Sequence, residues 1–305
     1  MDNFIKSPLN YIGGKQRILS QIAPLFPREI NCFVDLFVGG GNVALNIPAK
    51  KLALNDNLSY LVDFYKALKK TPIKQVLEHI YGRISMFSLS LTNENGYKAL
   101  RSLYNSEKNP LDLFVLVAYS FNHQIRFNNN HEFNNPFGRE RSCFNSTMAS
   151  NLKTFINKLK SSNVEFYTHN FTDFDLSSLG KDDFVYADPP YLITTGTYND
   201  GKRGFTGWGR KEEALLLDKL DGLDMNGIKF ALSNVLRHKG RENEMLYDWL
   251  ADNKHYVVNE IKMEYSNSSY HTKNRDKQAT QEVLITNYNP EQGYDEIYWQ
   301  QRKPA

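Results

Sequence analysis

The chain has 305 residues, 41% hydrophobic and 23% charged, which excludes a disordered or fibrous polymer and leaves room for about two domains. Thirty-seven Lys and Arg against 34 Asp and Glu give a net charge of +3, so a nucleic-acid role would need a local basic patch, not a polycationic chain. Cys32 and Cys143 are too few for a disulfide framework or a tetrathiolate zinc site, MDNFIKSPLN has no apolar signal core, and no stretch nears the ~18 apolar residues of a membrane helix; a cytosolic protein in a reducing compartment is expected.

From Asn31 the run CFVDLFV is short, apolar and β-branched, stops at Gly39-Gly40-Gly41 and continues into NVALNI. The pattern predicts a strand, a glycine turn and a helix, the opening of a βαβ unit. A second apolar run, Leu52 to Leu54, leads into Asn55-Asp56, and LSYLVDFYKAL then has helical spacing, so the second strand ends at an acid. Between about Leu58 and Asn163 the texture changes. Helical patterns such as PLDLFVLVAYSF (110–121) flank RFNNNHEFNNPFGRER (126–141), which has no period and reads as a hairpin or ordered loop. Strand-like runs resume with VEFYT (164–168), DFVYA (183–187), IKFALS (228–233), YVVNEIKM (256–263) and EVLITNY (282–288); helical spacing appears in KEEALLLDKL (211–220) and RENEMLYDWL (241–250). Strands alternating with helices predict an α/β fold, an open and mostly parallel sheet with helices on both faces. The middle segment interrupts that alternation as an inserted helical domain.

Asp35 to Gly41, DLFVGGG, places an acid at a strand end before three glycines, a turn that lets a ligand approach the backbone closely. It departs from the dinucleotide fingerprint GxGxxG, since Asn42, Val43 and Ala44 follow, and a phosphate-free ligand such as S-adenosylmethionine suits it better. Asp56 ends the second strand about 20 residues later, where a carboxylate can accept both ribose hydroxyls; helix capping is its other reading. Asp188-Pro189-Pro190-Tyr191 follows the strand FVYA. Two prolines cannot continue a ladder, so the carboxylate sits in a rigid turn at the strand's C-terminal edge. An aryl or amide amine is a poor nucleophile because its lone pair is delocalised. Acceptors such as the Asp188 carboxylate and the Pro189 carbonyl can bind both amino protons and favour a pyramidal nitrogen, while Tyr191 offers a π-face to a planar base.

With these residues in this order, the chain resembles the adenine-specific DNA methyltransferases of the Dam type, the alpha group, over about residues 8 to 288. The resemblance rests on Tyr11-Ile12-Gly13-Gly14-Lys15, DLFVGGG, Asn55-Asp56, RFNNNHEFNNPFGR (126–139), DPPY (188–191), Leu232-Ser233-Asn234 and KNRDKQATQEVLITNY (273–288). It implies a Rossmann-like class I methyltransferase sheet, discontinuous over 1–57 and 164–289, that binds S-adenosylmethionine and catalyses transfer. It also implies a mainly helical target-recognition domain over 58–163 bearing a β-hairpin, and a tail over 290–305. Tyr11, Gly13, Gly14 and Lys15 match the segment that lies against the cofactor, with Tyr11 where the family more often has Trp. Asp35, Phe37, Gly39 and Gly41 match the cofactor loop, Asp56 the ribose acid, Asn170 and Phe171 the pair bracketing the cofactor's adenine, and Asp188, Pro189, Pro190 and Tyr191 the catalytic loop. Arg126, Asn128, Pro136 and Arg139 match the hairpin that enters the DNA groove, Arg126 reading a guanine edge. Gln124 stands where GATC-methylating members carry an apolar residue.

The resemblance implies direct methylation of the N6 amine of a flipped adenine in double-stranded DNA, with S-adenosylhomocysteine as product and no metal. It further implies a cytoplasmic, nucleoid-associated monomer or weak dimer, paired in function with a cognate restriction endonuclease or serving phage or housekeeping methylation. Without the family, Asn, Arg and Phe over 126–141 already suit base edges, phosphates and stacking, and a solvated Asn-rich loop is the plainer reading. The HTKNRDKQ run (271–278) suits phosphate contact or a solvated loop equally. His123, His131, His169, His238 and His271 show no metal spacing, and neither cysteine follows a proline, against a covalent thiolate mechanism on cytosine carbon. Other targets for the same loop are a cytosine amine, an RNA base or a protein amide. Outside the transferases stand a DNA-binding sensor of S-adenosylmethionine, which would have no use for the acceptor pair, and a dinucleotide oxidoreductase, disfavoured by the missing fingerprint.

Overall fold

Apolar runs of four or five residues are too short for stable helices and are held when both faces are covered. In the computed structural model, which describes residues 4–11, 13–194, 207–262 and 280–290, these runs become the strands of one sheet. A short helix α1 (Leu19–Ile22) precedes β1 (Cys32–Asp35), buried at every position, and β2 (Lys51–Asn55). The helices α2 (Ser59–Lys70), α3 (Ile73–Met86), α4 (Glu94–Glu107), α5 (Pro110–Tyr119) and α6 (Ser146–Ser161) follow. Next come β3 (Val164–Tyr167), β4 (Phe184–Ala187), α7 (Arg210–Met225), β5 (Lys229–His238), β6 (Arg241–Glu242), α8 (Glu244–Asp252), β7 (Val257–Ile261) and β8 (Thr280–Thr286). Asparagine starts α4, α5, α6 and α8: the side chains of Asn93, Asn109, Asn145 and Asn243 accept from first-turn amides.

The strand order is β3-β2-β1-β4-β5-β8-β7, with β6 paired to the end of β5. Strands β1 to β5 run parallel, while β8 is antiparallel to both β5 and β7. Alternation along the strands divides the core. Phe33, Leu52, Phe184 and Tyr186 face α1 and the helices α2 to α6, whereas Val34, Ala53, Val185 and Phe230 face α7 and α8. The helices α2 to α6 thus share one core with a sheet face instead of enclosing a separate one. Between β1 and β4 the strand order reverses, and there the carboxyl ends of neighbouring strands diverge into a crevice.

Two expected elements differ. Over NVALNI only a single 3-10 turn forms, Ala44–Asn46. Asn46 exchanges hydrogen bonds with the Ile5 backbone at 2.7 and 2.8 Å, and Asn42 accepts from the Ser7 amide at 2.9 Å. These side chains anchor the N-terminal segment, and Pro48 blocks helical continuation. Loop 126–141 carries two isolated antiparallel bridges, Ser120 with Phe137 and Phe127 with Phe133, in place of a continuous hairpin ladder. Among the described residues no helix is long and apolar enough to cross a membrane, and both cysteines are free thiols. Ile12, Met263, the 271–278 run with His271, and the tail beyond residue 290 lie outside the described residues.

Candidate active site and DNA-facing loop

The carboxyl ends of β1, β2 and β4 each deliver an acid to one cleft of about 540 Å³. Tyr11, Gly13, Gly14, Lys15, Asp35, Phe37, Gly39, Asp56, Asn170, Phe171, Asp188, Pro189 and Pro190 all line it. Gly41 and Tyr191 do not line it, and Arg126 is the DNA-facing candidate that does.

The glycine turn is held from below. The Gly39 amide donates to Asp56 Oδ2 at 2.9 Å, the Leu58 amide to Asp56 Oδ1 at 2.9 Å, and the Tyr65 hydroxyl donates to the Gly39 carbonyl at 2.6 Å. Asp56 thus braces the glycine turn and the chain leading into α2 while standing in the cleft wall; it does not cap α2, whose N-cap is Leu58 without a side-chain cap bond. Gly39 has φ +45°, and a Cβ there would stand 3.0 Å from the Tyr11 ring, so both conformation and space demand glycine. Phe37, Phe171 and Trp208 form an aromatic wall, with ring centroids 5.3 to 5.7 Å apart. Trp208 is fixed by donation from Nε1 to Glu213 Oε2 at 2.6 Å. The other oxygen of this fully buried carboxylate accepts from Asn234 at 2.9 Å and Asn243 at 3.3 Å.

Electrostatically the cleft is acidic. Asp35 is 2% exposed, and its Oδ1 has no hydrogen-bond partner. Burial raises the pKa of Asp35 well above the carboxylate range, and Asp188 adds to the shift. Burial likewise raises Asp56, against the backbone hydrogen bonds it accepts. Asp188 is raised by burial too, opposed by Lys15 and Tyr191. Lys15 Nζ lies 2.7 Å from Asp188 Oδ1 and 3.8 Å from Glu282 Oε1, and donates to the Gly13 carbonyl at 2.9 Å. Tyr191 is buried; its hydroxyl is 3.1 Å from both Asp188 Oδ1 and Glu282 Oε1, and the Lys15 ammonium sits 5.0 Å from its ring centroid. Among the described residues, no group of three or more His, Cys, Asp or Glu is placed to hold a metal ion.

The 126–141 loop rests on α4. The Asn105 side chain pairs both ways with the Phe133 backbone, at 2.7 and 3.1 Å, and the Tyr97 hydroxyl donates to the Asn135 carbonyl at 2.7 Å. Phe127 and Phe133 are buried beneath the loop, with Tyr60 stacked on Phe127 at 4.7 Å. Arg126 and Pro136 are exposed and Gln124 is half-buried. Asn128 is used internally: Oδ1 accepts from the Asn130 and Glu132 amides, each at 2.9 Å, and Nδ2 donates to Glu132 at 2.7 Å. Arg139 is paired with Glu94 at 2.7 Å.

Trp208, Glu213 and Glu282 are not among the candidates that the sequence offers. Glu282 did carry a signal, an acid heading the otherwise apolar run EVLITNY. Trp208 stands between two glycines ahead of a helical pattern, and Glu213 looks like any helix-surface acid in KEEALLLDKL.

The strand order and the crevice at its reversal define a class I methyltransferase fold. A family model described as D12 class N6 adenine-specific DNA methyltransferase matches residues 11–263, and the chain belongs to that family. It is 52% identical over 287 residues to the type II methyltransferase M.FokI of Planomicrobium okeanokoites, covering 94% of this chain and 43% of that protein. With the modification methylase StsI of Streptococcus sanguinis it shares 49% over 285 residues, 93% of this chain and 43% of the relative. The DNA adenine methylase of Escherichia coli (strain K12) is 26% identical over 254 residues, 82% of this chain and 86% of that protein. The chain thus spans less than half the length of the first two relatives.

Proposed function

We propose that this chain methylates the N6 amine of a flipped adenine in double-stranded DNA, using S-adenosylmethionine and leaving S-adenosylhomocysteine. The observation that carries the reading is the set of little-exposed carboxylates, Asp35, Asp56 and Asp188, in one cleft with a single lysine. An acidic crevice with an unpartnered Asp35 oxygen suits a cationic, phosphate-free ligand and repels a pyrophosphate. Asp35, Phe37, Gly39, Asp56, Phe171 and Trp208 would hold S-adenosylmethionine, with Tyr11, Gly13, Gly14, Gly41 and Asn170 shaping the site. When bound, it supplies a methyl group on a sulfonium, already a strong electrophile.

The protein's remaining task is to orient the amine. The Asp188 carboxylate and the Pro189 carbonyl accept its protons, Pro190 stiffens the turn, and Tyr191, outside the cleft lining, braces Asp188 from behind. The Asp188 carboxylate is held by Lys15 and Tyr191, which fixes its direction before substrate arrives. Arg126, beside the cleft, would read a base edge, while Gln124, Asn128, Pro136 and Arg139 shape or contact the DNA around it. Residues 1–57 and 164–289 form the transfer domain on this reading and 58–163 the DNA-target domain, with 290–305 as a tail. The names of the first two relatives, a type II methyltransferase and a modification methylase, favour a role beside a cognate restriction endonuclease. A cytoplasmic monomer or weak dimer acting on the nucleoid completes the proposal.

The test is Asp188→Ala. A folded variant without methyl transfer supports the assignment, and near-wild-type turnover sinks it.

A further inference from the structure

Methylation of an amine adds a C–N bond and leaves the nitrogen with one proton too many, and that proton has to leave the site. Asp188 is its first acceptor on the reading given above, but a proton on Asp188 breaks the 2.7 Å ion pair with Lys15 and leaves a 5% exposed ammonium without its nearest counter-charge. A second carboxylate stands behind it. Glu282, on β8, has an 8% exposed side chain and lies farther from Lys15, at 3.8 Å. The Tyr191 hydroxyl bridges the two acids, 3.1 Å from Asp188 Oδ1 and 3.1 Å from Glu282 Oε1.

We propose that Glu282 takes up the product proton through the Tyr191 hydroxyl, returning Asp188 to its carboxylate form. This rests on the amine-methylation reading. The step balances: Asp188 receives a proton from the methylated amine, Tyr191 passes its own hydroxyl proton to Glu282 and takes the one on Asp188. At the end Asp188 is ionised, Tyr191 is neutral and Glu282 is a carboxylic acid that releases its proton before the next turnover. No oxidant, metal or further reactant is consumed.

The surroundings favour Glu282 as a proton holder. Among the described residues the titratable groups acting on it are Lys15, Asp188 and Tyr191, with Tyr186 also within its field. Its cross-strand neighbours, Val235 on β5 and Ile261 on β7, are apolar. Burial raises the pKa of Glu282, Lys15 opposes the rise, Asp188 adds to it and Tyr191 opposes it. Structural bracing alone would explain a buried acid, but would not require a hydroxyl between two carboxylates.

The experiment compares wild type, Glu282→Gln, Tyr191→Phe and the double variant. For each, kcat is measured on duplex DNA from pH 6 to 9, S-adenosylmethionine binding by equilibrium dialysis, and the fold by circular dichroism. Without Glu282 the proton must leave Asp188 to solvent, so the kcat deficit should be about tenfold or more at pH 6 and shrink to under about threefold at pH 9. Tyr191→Phe keeps the ring and should show the same slope, and the double variant should be no worse than the more impaired single one, because both break one route. Cofactor affinity should stay within about twofold of wild type. A deficit equal at every pH, additive losses, or wild-type kcat in a folded Glu282→Gln protein overturns the relay. If wild type makes no methyladenine, the reading beneath it fails and the relay with it; methyladenine from wild type with a pH-independent deficit overturns the relay alone.

Discussion

Replacing Asp35 with Asn should stabilise the cofactor-free protein while weakening its binding of S-adenosylmethionine. Asp35 is 2% exposed with one oxygen unpartnered, and burial followed by the Asp188 charge raises its pKa. A raised carboxyl pKa means that the folded state holds the proton more tightly than the unfolded one. The stability so gained is complete below the ordinary carboxylate range and is lost as pH rises through the folded value. At pH 7.5 the wild-type protein therefore bears a penalty that an amide avoids. Removing an unsatisfied buried carboxylate should gain about 1–3 kcal/mol, or about 2–5 °C in Tm for a chain of this size. The gain should be largely gone near pH 4, where the folded carboxyl is protonated and the unfolded one about half so. Binding should move the other way: loss of a charge-assisted hydrogen bond worth about 1.5–3 kcal/mol weakens affinity about 10- to 150-fold. Differential scanning fluorimetry at pH 4, 6 and 7.5 with equilibrium dialysis reads both quantities. A lower Tm at pH 7.5, or unchanged affinity, would refute the reasoning that this carboxyl is held at a cost to stability for a cationic ligand.

Glu213→Ala strands the buried amides of Asn234 and Asn243 and frees Trp208. It should cost about 3–5 kcal/mol in denaturant unfolding and weaken S-adenosylmethionine binding as well. Asp112, fully buried, is raised by burial but lowered overall by hydrogen bonds from His79 at 2.6 Å and Arg83 at 2.8 Å. Its stabilising contribution should be present above the ordinary carboxylate range and disappear as pH falls through the depressed folded value. Asp112→Ala should lose about 3 kcal/mol in the same assay at pH 7, with cofactor affinity unchanged in the protein that remains folded. Arg126→Ala should leave Tm and cofactor affinity as they are and weaken DNA binding in fluorescence anisotropy by about 1–3 kcal/mol, with relaxed sequence preference. Arg139→Ala breaks an exposed pair with Glu94, so a Tm change of more than a degree or two would show that its role is structural.

Much of the site was legible because its acids sit where strands end. Asp35, Asp56 and Asp188 are each preceded by a short apolar run, and a mostly parallel sheet brings such positions to one edge. What stayed hidden depends on partners far along the chain. Glu213 looks solvated within its helix, yet Asn234 and Asn243, 21 and 30 residues away, close around it. NVALNI has helical spacing but is drawn into a turn by Asn42 and Asn46, which bond residues 35 and 41 positions earlier. The apolar run IKFALS ends at Ser233, yet β5 continues to His238 because antiparallel β8 pairs with it there, a partner that local sequence does not announce. Asn128 and Arg139 show the same dependence, since their partners in the fold, Glu132 and Glu94, are not marked in the local sequence.

The most direct measurement incubates the purified protein with duplex DNA and radiolabelled S-adenosylmethionine, then digests the DNA and separates the nucleosides. Label in N6-methyladenine, absent with Asp188→Ala, is the expected result. Label in a cytosine nucleoside would contradict the choice of base, and no label in DNA from protein that binds the cofactor would contradict DNA methylation by this chain.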